Sequence, residues 1–118
     1  MTAQLNRQIP ADIIPQETIN SIVATIAEHF SPEKIVLFGS YASGTAVSGS
    51  DLDLLVVMES DLPRHRRSVP IQLLFKPMPC PMDILVYTPE EVNKWRGTVN
   101  HIVTEAFARG RTAYERRA

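Results

Sequence analysis

The sequence predicts an α/β domain: a small mixed sheet with helices packed mainly on one face. Three observations carry this. Segments of helical and of strand periodicity alternate along the chain. The first two strand-like runs are joined by only twelve residues, 39–50, too few for a helical crossover of usual length, so they pair antiparallel or through a tight irregular link. With 118 residues, 44% apolar and 21% charged, the chain suits one core and leaves no room for a second domain.

Residues 1–14 show little pattern and are expected to form an arm, with 15–118 as the domain. Pro15 opens a helix whose apolar stripe is Ile19, Ile22, Val23, Ile26, Ala27 and Phe30. Ser31-Pro32 ends it, because a residue before proline avoids the helical region. Ile35 to Phe38 reads as a first strand, and Leu52 to Met58 as a second. Five of the nine prolines fall between 59 and 81, around a short helix near 65–75 that Pro70 weakens. Met82 to Tyr87 is a third strand. Thr88-Pro89-Glu90-Glu91 has the form of a capping box at a helix start. Val99, Ile102, Val103, Ala106 and Phe107 form the stripe of a last helix, which Gly110 stops.

Composition excludes several function classes. Cys80 is the single cysteine, so there is neither an internal disulfide nor a cysteine zinc framework. The longest strictly apolar run, Leu54 to Met58, is far short of a membrane span, and the first seven residues form no secretory h-region. A cytoplasmic protein that does not engage a membrane is expected. Net charge is −1 and predicts no direct nucleic-acid binding. The charge is uneven. Residues 1–61 carry two basic and eight acidic side chains, and residues 62–118 carry ten basic and five acidic. The second half could meet an anionic ligand or an acidic partner, although solvated helix faces are the simpler reading.

The chemistry concentrates in the link and at the starts of the second and third strands. Gly39, Gly44 and Gly49 lie in the link with Ser40, Ser43, Ser48 and Ser50. A glycine-serine turn leaving a buried strand presents backbone N–H groups to a phosphate. Thr45-Ala46 stands where a P-loop needs lysine and then serine or threonine, which rejects that motif. Asp51 and Asp53 lie two apart at a strand entrance and so on one face. Two such carboxylates repel unless a cation joins them, and no lysine or arginine is adjacent. A hard divalent ion with oxygen ligands, Mg²⁺ above all, is the natural partner beside phosphate. Asp83 opens the third strand on the face of Leu85 and Tyr87, and points to the same spot if the second and third strands are neighbours.

Gly39-Ser40, ten residues, then Asp51-Leu52-Asp53 resembles the GS-x10-DxD signature of the DNA polymerase beta-like nucleotidyltransferases. The apolar strands on either side and the third aspartate fit the same pattern. Thr88 to Glu91 and the ending Arg109-Gly110-Arg111-Thr112-Ala113-Tyr114-Glu115 resemble the minimal single-domain members, or MNT proteins. The likeness covers roughly residues 17–115. It implies a nucleotidyltransferase fold, with Gly39 and Ser40 holding a triphosphate. Asp51 and Asp53 would bind two Mg²⁺ ions, and Asp83 would ligate the catalytic one and help take a proton from the acceptor. The implied reaction is transfer of AMP from ATP to a hydroxyl, with pyrophosphate leaving. Minimal members stand beside a helical HEPN protein, so the resemblance implies a HEPN toxin as partner, silenced by AMP attached to a tyrosine.

Ser43 departs from the family, where arginine is frequent, so a loop cation is missing. Arg64, Arg66, Arg67 or Lys76 are candidates to replace it, against the simpler reading as solvated surface. The departure motivates an alternative: a catalytically weak antitoxin, or a binding module that neutralises its partner by contact alone. A third reading is transfer to a small molecule, which this short chain could accommodate only at a dimer interface. The oligomeric state, a homo-oligomer included, stays open. His29, His65 and His101 share no metal spacing. His29 is expected at the core edge, Cys80 as an inert thiol and Trp95 as a packing residue.

Overall fold

The computed structural model describes residues 13–117, so most of the expected arm lies outside the described residues. Ile14, near its end, is buried in the core, and its N–H donates to the Tyr41 hydroxyl at 3.0 Å. Helix α1 (Gln16–Phe30) buries Ile19, Ile22, Val23 and Ile26, the stripe its sequence spacing predicts. Ser31 closes it in a left-handed conformation, φ 45°, with its N–H on the Ala27 carbonyl.

Strand β1 (Lys34–Phe38) is followed by the one-turn helix α2 (Ser40–Ser43) and strand β2 (Leu52–Val57). A 3-10 turn (Arg64–Arg66) and helix α3 (Val69–Gln72) bridge to strand β3 (Met82–Tyr87). Helices α4 (Pro89–Trp95) and α5 (Ile102–Arg109) then lead to strand β4 (Arg111–Glu115). The sheet order is β3-β2-β1-β4. β1 pairs antiparallel with β2 and with β4, and β2 pairs parallel with β3. The α/β class and the mixed sheet therefore stand as expected, and the 39–50 link is an antiparallel connection.

The placement of the helices is corrected: they cover both faces. Ile35, Leu37, Leu52, Leu54, Val56, Ile84 and Val86 pack under α1 and Ile71 of α3. Val36, Phe38, Leu55, Val57 and Tyr87 pack under Val92 of α4 and Val103 and Ala106 of α5. The reason is in the strands. Four successive residues, Ile35 to Phe38, are buried, as are Leu54 to Val57. Alternating side chains point to opposite faces, so a continuous apolar run needs cover on both. Each such side chain, fully buried, contributes about 1.5–3 kcal/mol against exposure.

Three further expectations are corrected. β4 has no sequence signal, since it is polar and mostly exposed; it exists by pairing with β1. Val99 lies outside α5 and is 82% exposed. The chain turns at Asn100, φ 65°, and His101 Nδ1 caps the helix by accepting the Val103 N–H at 3.1 Å. His29 is exposed rather than at the core edge, with Nδ1 against the Thr25 carbonyl at 2.9 Å. The Thr88–Glu91 capping box forms as predicted. No helix among the described residues is long and apolar enough to cross a membrane.

Candidate active site

The buried strand β1 ends at Phe38, and the chain turns at Gly39 with φ 73° and ψ −155°. That combination is open essentially to glycine alone. Space demands glycine as well: a Cβ at Gly39 would collide with the carboxylate of Asp53. The Gly39 carbonyl then accepts the N–H groups of Ala42 and Ser43, both at 3.1 Å, and starts α2. The first amides of a helix have no intrahelical acceptor and face whatever approaches that end. Gly44, φ 80°, ends the turn, and the Thr45 N–H returns to the Ser40 carbonyl at 3.0 Å. Ser43 is exposed, its hydroxyl on Thr45 Oγ1 at 2.8 Å.

The link closes on itself before β2. Val47 N–H donates to the Ser50 hydroxyl at 2.9 Å, and Ser50 N–H to the Val47 carbonyl at 2.9 Å. Leu52 N–H then bonds the Pro81 carbonyl at 3.0 Å, which locks β2 to β3 in parallel register. In that register Asp53 stands opposite Asp83, and across the other edge of β2 Phe38 stands opposite Asp53. Asp53 shares its face with Leu55 and Val57, and Asp83 shares its face with Leu85 and Tyr87, so both look to the side covered by α4 and α5. The structure thus brings Asp53, Asp83 and Gly39 together, with Asp51 one step before the strand and Ser40 one step after the glycine.

Electrostatics reports the same convergence. Burial pushes the Asp53 carboxyl above its ordinary range, and the negative charges of Asp83 and Asp51 push it further. Asp53 is half-buried, and Asp51 and Asp83 are exposed. Among the described residues no lysine, arginine or histidine pairs with any of the three. Nor, among the described residues, do three ligating side chains draw together tightly enough to hold a metal ion as they stand. The donor set nevertheless fits a hard cation: all oxygen, on adjacent strands, mutually repelling and unneutralised.

Two of the arginines considered as loop cations have other work. Arg67 Nη1 donates to Glu91 Oε1 at 2.6 Å and to the Val86 carbonyl, and its Nε to the Leu62 carbonyl at 2.9 Å. Arg64 Nη2 donates to Glu91 Oε2 at 3.2 Å. These bonds, chiefly the one from Arg67, hold the Glu91 carboxyl at about 2, well below its ordinary range. Sequence reasoning found Glu91 only as a cap, because its arginine partners lie 24 and 27 residues away. A cavity of about 390 Å³ between α1 and β4 contains none of the candidate site residues.

The comparisons with known proteins agree with this geometry. Residues 19–116 match the model of the nucleotidyltransferase domain family. A Methanocaldococcus jannaschii protein, whose name proposes a protein adenylyltransferase, is 62% identical over 32 residues. That stretch is 27% of this chain and 21% of the relative, so the match spans about a fifth of the relative's length. The structure of a Sulfolobus solfataricus protein proposed to be a nucleotidyltransferase superposes with a TM-score of 0.51 at 24% identity, over 64% of this chain and 68% of that one. A toxin–antitoxin structure with AMP-PNP gives 0.58 at 21% identity, over 83% and 73%. A mutant toxin–antitoxin MntA-HpeT gives 0.56 at 18%, also over 83% and 73%. At these identities the structural matches establish the fold. The family match, which spans most of the chain, goes further: this chain belongs to the nucleotidyltransferase domain family.

Proposed function

We propose that this protein transfers AMP from ATP to a hydroxyl of a protein partner, and that the partner is a HEPN-type toxin which the modification silences. The observation that carries the reading is the register: Asp53 faces Asp83 on adjacent parallel strands, with Asp51 beside them and the Gly39 turn against the Asp53 carboxylate. The toxin–antitoxin neighbours and the adenylyltransferase name of the short relative support the choice of donor and acceptor.

Asp51, Asp53 and Asp83 are the residues to hold Mg²⁺, two ions in the full reading, which when bound neutralises phosphate charge. Gly39 and Ser40 hold the triphosphate with backbone N–H groups and the serine hydroxyl. Asp83, exposed at the strand end, accepts the proton of the attacking hydroxyl. The acceptor oxygen bonds to the α-phosphorus, the bond from that phosphorus to the β-phosphate oxygen breaks, and pyrophosphate leaves. Positioning and charge neutralisation supply most of the rate gain. An ATP donor implies a reaction in the cytoplasm.

The test is transfer of label from α-labelled ATP to the co-expressed partner with Mg²⁺. Label on the partner is expected, with at least a hundredfold loss in Asp51→Asn/Asp53→Asn. A folded preparation that transfers none, beside a control enzyme that does, refutes the reading. Ser43, which puts no cation in the loop, favours a second reading, neutralisation by contact alone. Under it the double variant still neutralises the partner fully in cells.

A further inference from the structure

We propose that Arg109 binds the triphosphate tail of the nucleotide in the cleft beside Gly39, and that Glu105 holds its guanidinium until the nucleotide arrives. This rests on reading the Gly39 turn as the nucleotide site. The cleft, about 270 Å³, is lined by Phe38, Gly39, Ser43, Glu105 and Arg109. It therefore joins the turn to the last helical turn of α5, and Arg109 is the one basic side chain in its lining.

The backbone fixes this juxtaposition. A Cβ at Gly110 would collide with the carbonyl oxygens of Ala106 and Leu37, so the end of α5 sits directly on the end of β1. Gly110 has an ordinary negative φ, −84°; it is close approach that requires glycine here. Arg109 is thereby held next to a turn that begins two residues after Leu37. The cleft and the Asp53 and Asp83 side chains share the face under α4 and α5.

Most other cations of the described residues are engaged elsewhere. Arg64 and Arg67 bind Glu91. Lys34 pairs with Glu115, Arg111 with Gln16, and Arg116 with the Ser31 carbonyl. Arg96 and Lys94 lie over the rings of Phe107 and Trp95. Arg109 has a single partner, Glu105 at 3.3 Å one helical turn back, and its side chain is 83% exposed. An exposed pair of this kind is weak, whereas guanidinium to phosphate is a strong, bidentate contact. A polyanion entering the cleft therefore takes Arg109 from Glu105. Glu105, the acidic group of the lining, opposes an anion when it is left alone.

Calorimetric titration of the full chain with ATP and with AMP, in Mg²⁺, tests this. Arg109→Ala is expected to raise Kd for ATP about tenfold and for AMP less than about twofold, with Arg109→Lys between. Glu105→Gln is expected to tighten ATP binding, and the gain to shrink when Arg109→Ala is added, to the part that comes from removing a negative charge from the lining. Both side chains are exposed, so the melting temperatures should stay near wild type and certify folding. Wild-type binding with an unchanged ATP Kd in Arg109→Ala overturns this inference alone, as does an equal loss for ATP and AMP. A wild type that binds neither nucleotide overturns the nucleotide site itself, and this inference with it.

Discussion

Gly39 shows how one residue can be fixed by two independent demands. Its backbone lies where side chains are rarely tolerated, and its missing Cβ is the space that the Asp53 carboxylate occupies. Gly39→Ala meets both penalties, so a loss of about 2–4 kcal/mol is expected in urea unfolding. ATP binding should fall with it, because the only relief is to move the turn or the carboxylate. The glycine was legible from the sequence as a turn residue. Its second role was not, because Asp53 is fourteen positions further on and reaches it only through the antiparallel pairing of β1 with β2.

At the scale of elements, the start of α4 is tied to the segment that precedes β3. Thr88 and Glu91 cap the helix reciprocally, and the same carboxylate receives Arg67 and Arg64. Its pKa in the fold, about 2, lies below the ordinary 4.5. The folded state thus binds this proton less readily than the unfolded state. The stabilisation is complete above about pH 4.5 and is lost as pH falls toward 2. Glu91→Gln is expected to cost about 1–2 kcal/mol at pH 7 and to flatten that part of the acid-unfolding curve, followed by circular dichroism. The capping box was readable because its residues are three apart. The ion pairs were not, and the basic run 64–67 looked like a spare surface charge until the fold spent two of its arginines on Glu91. β4 was missed for a related reason: its polar sequence has no period to detect, and its partner β1 lies far back in the chain.

Across the whole molecule, the helices make a scaffold with cover on both faces, and one end of the sheet is given over to acidic groups that do not stabilise it. Burial and the charges of Asp83 and Asp51 all disfavour an ionised Asp53. Removing that charge should therefore stabilise the metal-free fold while disabling the site. In EDTA, Asp53→Asn is expected to melt above wild type. With Mg²⁺ and ATP the order should reverse, because only the wild type gains from the ligand. A thermal-shift series over both conditions reads the two effects separately.

The sequence by itself determined the class of fold, both ends of α1, the start of α4, and the spacing of Gly39, Ser40, Asp51 and Asp53. All of these rest on interactions between residues near one another in the chain, where period, capping and turn chemistry speak directly. Tertiary structure decided that helices cover both faces, that β4 closes the sheet, that Asp83 stands opposite Asp53, and that Arg109 lies beside the glycine turn. Each of these depends on strand pairing or on one backbone seated against another across many intervening residues. A linear pattern does not encode such contacts until the shared core fixes the register.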